Sequence, residues 1–463
     1  MLMHPLTANE NFRLLFWSRV REFAVPPSMI ESATTRRTAG DWAGACAAAR
    51  VDVDLNLRAV GHARGRRLAA QVRADLRQLA PDLLRWHFPR IGPDGLLRPG
   101  LTVSLARYPP PADSGGPIHL VARTPPAWAD AGQRISLALW DPSQPKAGAG
   151  LHPHPRPDRR FRLDLHRHLW DVRRVGELGE RSGAGRWLTG SDPPVDAIPP
   201  GVVAEPSGLA VDRWAAEAAL LLRAEGSADG VVTVRLTTRC RLALDLGTQD
   251  VSTPRITESP PRGCSRAWPV LPDAATRVLP DLELLRAGLI DADRLHPLVA
   301  SALLPDHRPA GTTRSPDNSG NSRLVECRGA RHRIGVVDGV LVPLDHHPDE
   351  IRREELLVAL GGTPLPCLQV IDGAHRHPES LVDVRARLDH GDTAGALAAV
   401  ESLLGPDVLL RSGALRDELE AAMRRRVAHG LFRAGLVGLG PNPAVQDSHR
   451  RRVRAHPRYA THR

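Results

Sequence analysis

The stretch Ala39-Gly40-Asp41-Trp42-Ala43-Gly44-Ala45-Cys46-Ala47-Ala48-Ala49 returns 351 residues later as His390-Gly391-Asp392-Thr393-Ala394-Gly395-Ala396-Leu397-Ala398-Ala399-Val400, with seven of nine positions from Gly40 to Ala48 identical. The same offset pairs Leu68 with Leu419, Ala70 with Ala421 and Arg73 with Arg424 without a gap. Glycine suits the end of one helix, where a positive φ meets no Cβ clash, and aspartate suits the N-cap of the next. Together they mark a tight turn between two helices. The small residues that follow let the second helix approach closely. This pattern predicts that residues 36–77 and 387–428 share one helical-hairpin fold, with Gly40, Asp41, Gly391 and Asp392 as structural turn residues.

Outward from these segments the periodicity alternates between helix and strand. Residues 9–22 and 29–37 read as helices, and 63–87 as one longer helix with Leu68, Val72, Leu76, Leu79 and Leu83 on one face. Residues 101–108, 118–123 and 135–140 read as strands, as does the strict alternation of 161–166. A helix at 211–224 precedes a long strand or hairpin over 231–246, and helices follow at 273–288 and 292–303. Asp338-Gly339 is a two-residue hairpin turn between 334–337 and 340–343. Helices are predicted at 349–360, 378–389, 393–404 and 413–436. The fold class expected is α+β, with helical hairpin units at both ends and a β-rich middle. The domains expected are a helical 1–92, a β-rich 97–250 with inserted helices, linkers with short helices over 251–330, a β-hairpin plus helices over 331–436, and a basic disordered tail over 437–463.

Composition excludes several chemistries. Of the 62 basic residues, Lys146 is the single lysine. It stands in Gln144-Pro145-Lys146-Ala147, which fits neither a phosphate-binding P-loop nor a kinase strand. A net charge of +10 suggests a polyanion partner, but it comes from arginines spread along the whole chain. Only the tail concentrates them, at Arg450, Arg451, Arg452 and Arg454, the candidate nucleic-acid contacts. The five cysteines, Cys46, Cys240, Cys264, Cys327 and Cys367, are odd in number and have no CxxC spacing. Neither a disulfide framework nor a cysteine-based zinc site is expected from them. No signal peptide and no membrane span are expected, and the predicted setting is cytoplasmic.

Some strings resemble known families. His390-Gly391-Asp392 through Gly405 resembles the first helix of a tetratricopeptide repeat hairpin. That likeness implies a helix-pair geometry, without the tandem array that builds a peptide groove. Asp113-Ser114-Gly115-Gly116-Pro117 resembles the nucleophile loop of chymotrypsin-like proteases, but the helical stretch before it leaves no room for their first barrel. Pro27-Ser28-Met29-Ile30-Glu31 leading into Gly40-Asp41-Trp42-Ala43 resembles uncharacterised proteins of GC-rich actinobacteria, which implies no defined activity.

Two polar clusters have metal-ligand chemistry. Asp164, His166 and His168 would share one face of a strand. Asp345, His346 and His347 stand before Pro348-Asp349, with Asp372, His375, His377, Asp389 and His390 downstream. Each cluster also has a plain reading, a solvated face for the first and a helix start for the second. The function expected is a non-enzymatic scaffold that docks a protein partner through its helical ends, with no cofactor. The alternatives are a metal-dependent phosphoester hydrolase and a nucleic-acid-binding factor that uses the tail.

Overall fold

The computed structural model describes residues 8–109, 116–143, 152–188, 208–227, 230–237, 240–247, 254–258, 268–307, 323–337, 340–376, 381–404, 410 and 412–436. The Asp113-Ser114-Gly115 string, Lys146, the Asp338-Gly339 turn, His377 and the Arg450–Arg454 tail fall outside them. The chain is α+β. It forms two compact units, residues 1–310 with 432–463, and residues 311–431.

The first unit opens with helices α1 (Ala8–Arg19), α2 (Pro27–Thr38) and α3 (Trp42–Ala48), then strand β1 (Val51–Val53). The single helix expected over 63–87 is three pieces: α4 (Leu57–Arg64), α5 (Arg66–Arg77) and α6 (Pro81–His87). Gly65, at φ 94°, breaks the first junction. Pro81, which has no amide hydrogen to give, starts the last piece at its favoured first position. After the short pair β2 (Arg90–Ile91) and β3 (Leu96–Leu97) come β4 (Thr102–Tyr108), β5 (Ile118–Arg123) and β6 (Ile135–Trp140). They form one sheet in the order β1-β6-β5-β4, antiparallel except for β1, which runs parallel to β6. All of β5 is buried, so this sheet is covered on both faces.

Residues 161–166 do not form the expected strand. Arg162 makes one bridge to Ser104. The chain then turns, with the Leu165 amide donating to the Arg162 carbonyl at 3.2 Å and the His166 amide to the Leu163 carbonyl at 3.2 Å. Phe161 and Leu163 are buried as the alternation implied, because such a turn can also put every second residue inward. Short helices α7 (Leu178–Ser182) and α8 (Ala184–Leu188) follow.

Helix α9 (Val211–Glu225) presents Trp214, Ala218 and Leu221 to the hairpin of β7 (Val231–Arg235) and β8 (Arg241–Asp245), where Val232, Val234, Leu242 and Leu244 meet them. Strand β9 (Arg255–Glu258) pairs with β8, and α10 (Asp273–Thr276), α11 (Pro280–Arg286) and α12 (Pro297–Leu303) complete the unit. Its main core draws on Leu14, Leu83, Leu105, Trp170, Leu282 and Val299 alike.

The second unit begins with a three-stranded antiparallel sheet, β10 (Arg323–Cys327), β11 (Ala330–Val337) and β12 (Val340–Pro343). Helices α13 (Pro348–Ala359), α14 (Pro366–Arg376), α15 (Leu381–Asp389), α16 (Thr393–Leu404) and α17 (Ala414–Arg433) follow. Its core gathers Ile334, Ile371, Val384, Leu388, Ala396, Val400 and Leu415. Neither β10 nor α14 was among the predicted elements. No described helix is long and apolar enough to cross a membrane.

The two Gly-Asp turns are built alike, atom for atom. Gly40 and Gly391 sit at φ 80° and 81°. The Asp41 amide donates to the Arg36 carbonyl at 2.9 Å, and the Asp392 amide to the Arg387 carbonyl at 2.7 Å. Each aspartate caps its helix through one oxygen, accepting from the Gly44 amide at 2.8 Å or the Gly395 amide at 3.2 Å. The other oxygen takes a guanidinium N–H, from Arg36 at 3.1 Å or Arg387 at 3.2 Å. A Cβ on Gly44 would lie 1.9 Å from Asp41 Oδ2, and one on Gly395 2.1 Å from Asp392 Oδ2. The glycine three residues after the aspartate is thus required by the clamp itself. The likeness stops after Ala48, where the first copy enters β1 and the second continues as helix to Leu404. It is a shared hairpin, not the 42-residue repeat that an ungapped offset suggests.

Candidate metal centre

A two-residue turn joins β10 to β11. Arg328 and Gly329 both take positive φ, 54° and 80°, the geometry that matches the twist of paired strands. The turn leaves Cys327 opposite Ala330, and Val325 opposite His332. Cys327 and His332 are therefore diagonal neighbours on one face of the sheet.

Beyond β12 the chain keeps running along β11. The Leu344 amide donates to the Arg333 carbonyl at 2.8 Å, and the Arg333 amide to Asp345 Oδ2 at 2.7 Å. That register brings His346 against His332, with His332 Nδ1 2.6 Å from His346 Nε2. The fourth member comes from α14. Pro366 opens this helix and Cys367 follows, in van der Waals company with Cys327 and Leu365.

Cys327, His332, His346 and Cys367 each offer one donor atom, and the four atoms lie within 4.8 Å of one another. Among the described residues this is the one set of three or more such side chains that converges so closely. Both cysteines are fully buried, and His346 is 9% exposed. Burial, with the neighbouring Cys327 sulfur, pushes the Cys367 thiol up to about 12. A coordinated cation reverses that balance and takes both sulfurs as thiolates. Two imidazole nitrogens facing each other at 2.6 Å need either a proton between them or a shared cation. Zinc bonds of about 2.0 Å at a tetrahedral angle would hold the pair about 3.3 Å apart. Two cysteines and two histidines from four separate positions offer an S₂N₂ set, the donor chemistry of structural zinc.

Among the predicted ligands of this region whose side chains are described, His346 alone enters the cluster; the side chains of Asp372, His375 and His377 lie outside the described residues. The Asp345 carboxylate is taken by the Arg333 guanidinium and backbone amide, which hold it down to about 2. His347 is exposed and caps α13, its Nδ1 accepting from the Asp349 amide at 3.3 Å. The segment thus supplies a helix cap at His347 and a member of the candidate metal set at His346, on adjacent residues. Asp389 lies 3.4 Å from Arg425, and His390 donates from Nδ1 to the Ala386 carbonyl at 2.8 Å.

The other predicted set does not assemble. Asp164 is chelated by Arg162, with both bonds 2.8 Å long. His166 donates from Nδ1 to the Arg162 carbonyl at 3.1 Å, and its Nε2 lies 3.1 Å from Glu217. Burial pushes Glu217 up, but His166 and Arg181 outweigh it and hold that carboxyl at about 2. His168 is buried 5.7 Å from the His166 ring, and burial drives its pKa well down. Asp164 is turned to its own arginine, so the strand face that would have lined up three ligands does not exist.

Cys327, His332 and Cys367 were missed by sequence reasoning. The signals were faint: a Cys-Arg-Gly turn after a short apolar run, and a Pro-Cys helix start. Compared with protein-family models, curated proteins and solved structures, the chain matches none.

Proposed function

We propose that this protein is a non-enzymatic interaction protein whose second unit is organised by a structural zinc ion. The observation that carries the reading is the convergence of Cys327, His332, His346 and Cys367 donors within 4.8 Å. Zinc there ties the β10–β11 turn, the segment after β12 and the start of α14 to one point. Among the described residues, the apolar cluster at the two cysteines adds only Leu365, Val325 and Leu368. A metal crosslink supplies cohesion that so few side chains cannot.

The donor set argues for structure over catalysis. A hydrolytic zinc keeps a coordination position for water, whereas four protein ligands, two of them thiolates, fill a tetrahedron. The metal-dependent phosphoester hydrolase reading draws less support, since the Asp345 and Asp164 carboxylates are each held by an arginine. The interaction reading draws support from the helices beyond the site, which leave Val382, Leu397, Met423 and Val427 well exposed. These are the residue types that a partner protein covers.

Elemental analysis of the purified full chain tests the metal. One zinc per chain is expected, falling to a small fraction in Cys327→Ser and Cys367→Ser. Metal-free protein that gains no thermal stability from zinc would overturn the reading.

A further inference from the structure

We propose that Glu350 and Arg328 form an outer shell that positions the metal ligands, with Glu350 fixing the His346 ring. The inference rests on the zinc reading above. It assigns roles to two residues that donate no atom to the metal.

The circuit begins at His346. Its Nδ1 lies 3.1 Å from Glu350 Oε2, one helical turn on in α13. A carboxylate can only accept, so Nδ1 carries the proton and Nε2 keeps its lone pair. Nε2 is the atom that faces His332 Nδ1. Glu350 therefore selects the tautomer that the metal needs and holds the ring plane in place. Carboxylate–histidine–metal arrangements of this kind raise ligand basicity and commonly change metal affinity by about 10- to 100-fold.

From Glu350 the circuit returns to the cysteine turn. Arg328 Nη1 donates to Glu350 Oε1 at 3.2 Å, and Nη2 to Glu354 Oε1 at 2.5 Å. Arg328 is the residue after Cys327, and it is held at a positive φ that a non-glycine residue seldom takes. The ion pairs join this turn to α13. Ligand Cys327, its neighbour Arg328, Glu350 and ligand His346 thus close a loop around the site. The loop adds side-chain links between α13 and the centre to the chain connection at His347-Pro348.

Zinc affinity of the full chain, measured by competition with a chromophoric chelator, tests this. The variants are Glu350→Ala, Glu350→Gln and Arg328→Asn, the last chosen because asparagine tolerates the left-handed turn. Glu326→Gln is the control, since this exposed carboxylate adjoins Cys327 but has no link to His346 in the circuit. Glu350→Ala is expected to weaken zinc about 10- to 100-fold. Glu350→Gln, which keeps an accepting oxygen, should recover part of that loss. Arg328→Asn should weaken zinc less than Glu350→Ala, and Glu326→Gln by less than about 2-fold. The metal-free proteins should melt together, which separates positioning from general stability.

Wild-type affinity in Glu350→Ala would overturn the inference while leaving the zinc site intact. An equal loss in Glu326→Gln would also overturn it, by reducing the effect to bulk charge. Failure of the wild type to bind zinc would remove the zinc reading itself and this inference with it.

Discussion

Replacing Gly395 by alanine should change sign with the residue at 392. In the wild-type chain the new Cβ would lie 2.1 Å from Asp392 Oδ2 and 2.9 Å from the Arg387 guanidinium. No real Cβ contact is that short, so the carboxylate must rotate away. It then gives up the N-cap bond from the residue 395 amide, about 1 kcal/mol, and weakens the Arg387 pair. That pair is mostly shielded, with the side chains 24% and 12% exposed, yet after discounting for solvent it adds no more than about 1 kcal/mol. Arg387 is not stranded, because Asp383 holds it at 2.9 Å. Against these losses stands a gain of about 1 kcal/mol for alanine over glycine inside a helix. Gly395→Ala alone should therefore destabilise by up to about 1 kcal/mol, and Asp392→Ala by about 1 to 2 kcal/mol. Once Asp392 is alanine, the obstacle is gone and only the helix preference remains. Gly395→Ala should then stabilise by up to about 1 kcal/mol. Urea unfolding of the four proteins, followed by far-ultraviolet circular dichroism, reads the cycle. The same sign in both backgrounds would refute the clamp as the reason for that glycine.

Unit one should lose stability in mild acid. Burial depresses the imidazoles of His119 and His87, to about 4 and about 3 against an ordinary 6.5. Stability is then full above pH 6.5 and falls as pH drops, because the unfolded chain takes up protons that the folded one refuses. His119 alone accounts for on the order of 3 kcal/mol by pH 4, and His119→Gln should flatten the denaturation midpoint over that range. Asp75 accepts from Tyr108 at 2.8 Å and from Arg167 and Arg173 at 2.5 and 2.7 Å. Asp75→Ala should cost about 2 kcal/mol, since Asp171 still holds both arginines, and Tyr108→Phe about 1 kcal/mol alone but nothing once Asp75 is gone, as a double-mutant cycle of unfolding would register. Chelation should sharpen proteolysis within 323–376 and leave fragments of unit one intact, whereas uniform digestion would speak against a local metal staple.

Local features were legible in the sequence, and convergent ones were not. The Gly-Asp turns could be read because everything that makes them lies within nine residues, from Arg36 to Gly44 and from Arg387 to Gly395. Even there the clamping arginine is not legible, since arginine is so common in this chain that one more carries no signal. Strands β4, β5 and β6 and the β7–β8 hairpin follow from period-two runs between turn residues. The long helix of 63–87 failed because its apolar spacing outvoted Gly65 and Pro81, the two residues that set the actual boundaries. Strand β10 starts at the edge of a Pro, Gly and Ser-rich stretch whose composition reads as linker. The candidate metal ligands depend on strand register and on where α14 begins. His332 meets His346 only because the β11–β12 ladder continues past Pro343, and a spacing rule for paired cysteines has no purchase on Cys327 and Cys367.

The parallel pairing of β1 with β6 also sets a timetable. Val51 finds its partner at Ile135, and the core that covers both also needs Leu282 and Val299. At roughly 5–20 residues per second, a ribosome releases β1 on the order of ten seconds before β6 and far longer before α12. Throughout that wait the nascent first unit carries an unfinished apolar face, the condition in which chains recruit chaperones or aggregate. The second unit has no such delay. All four residues of the candidate metal set emerge between positions 327 and 367, so that set is complete almost as soon as α14 clears the exit tunnel.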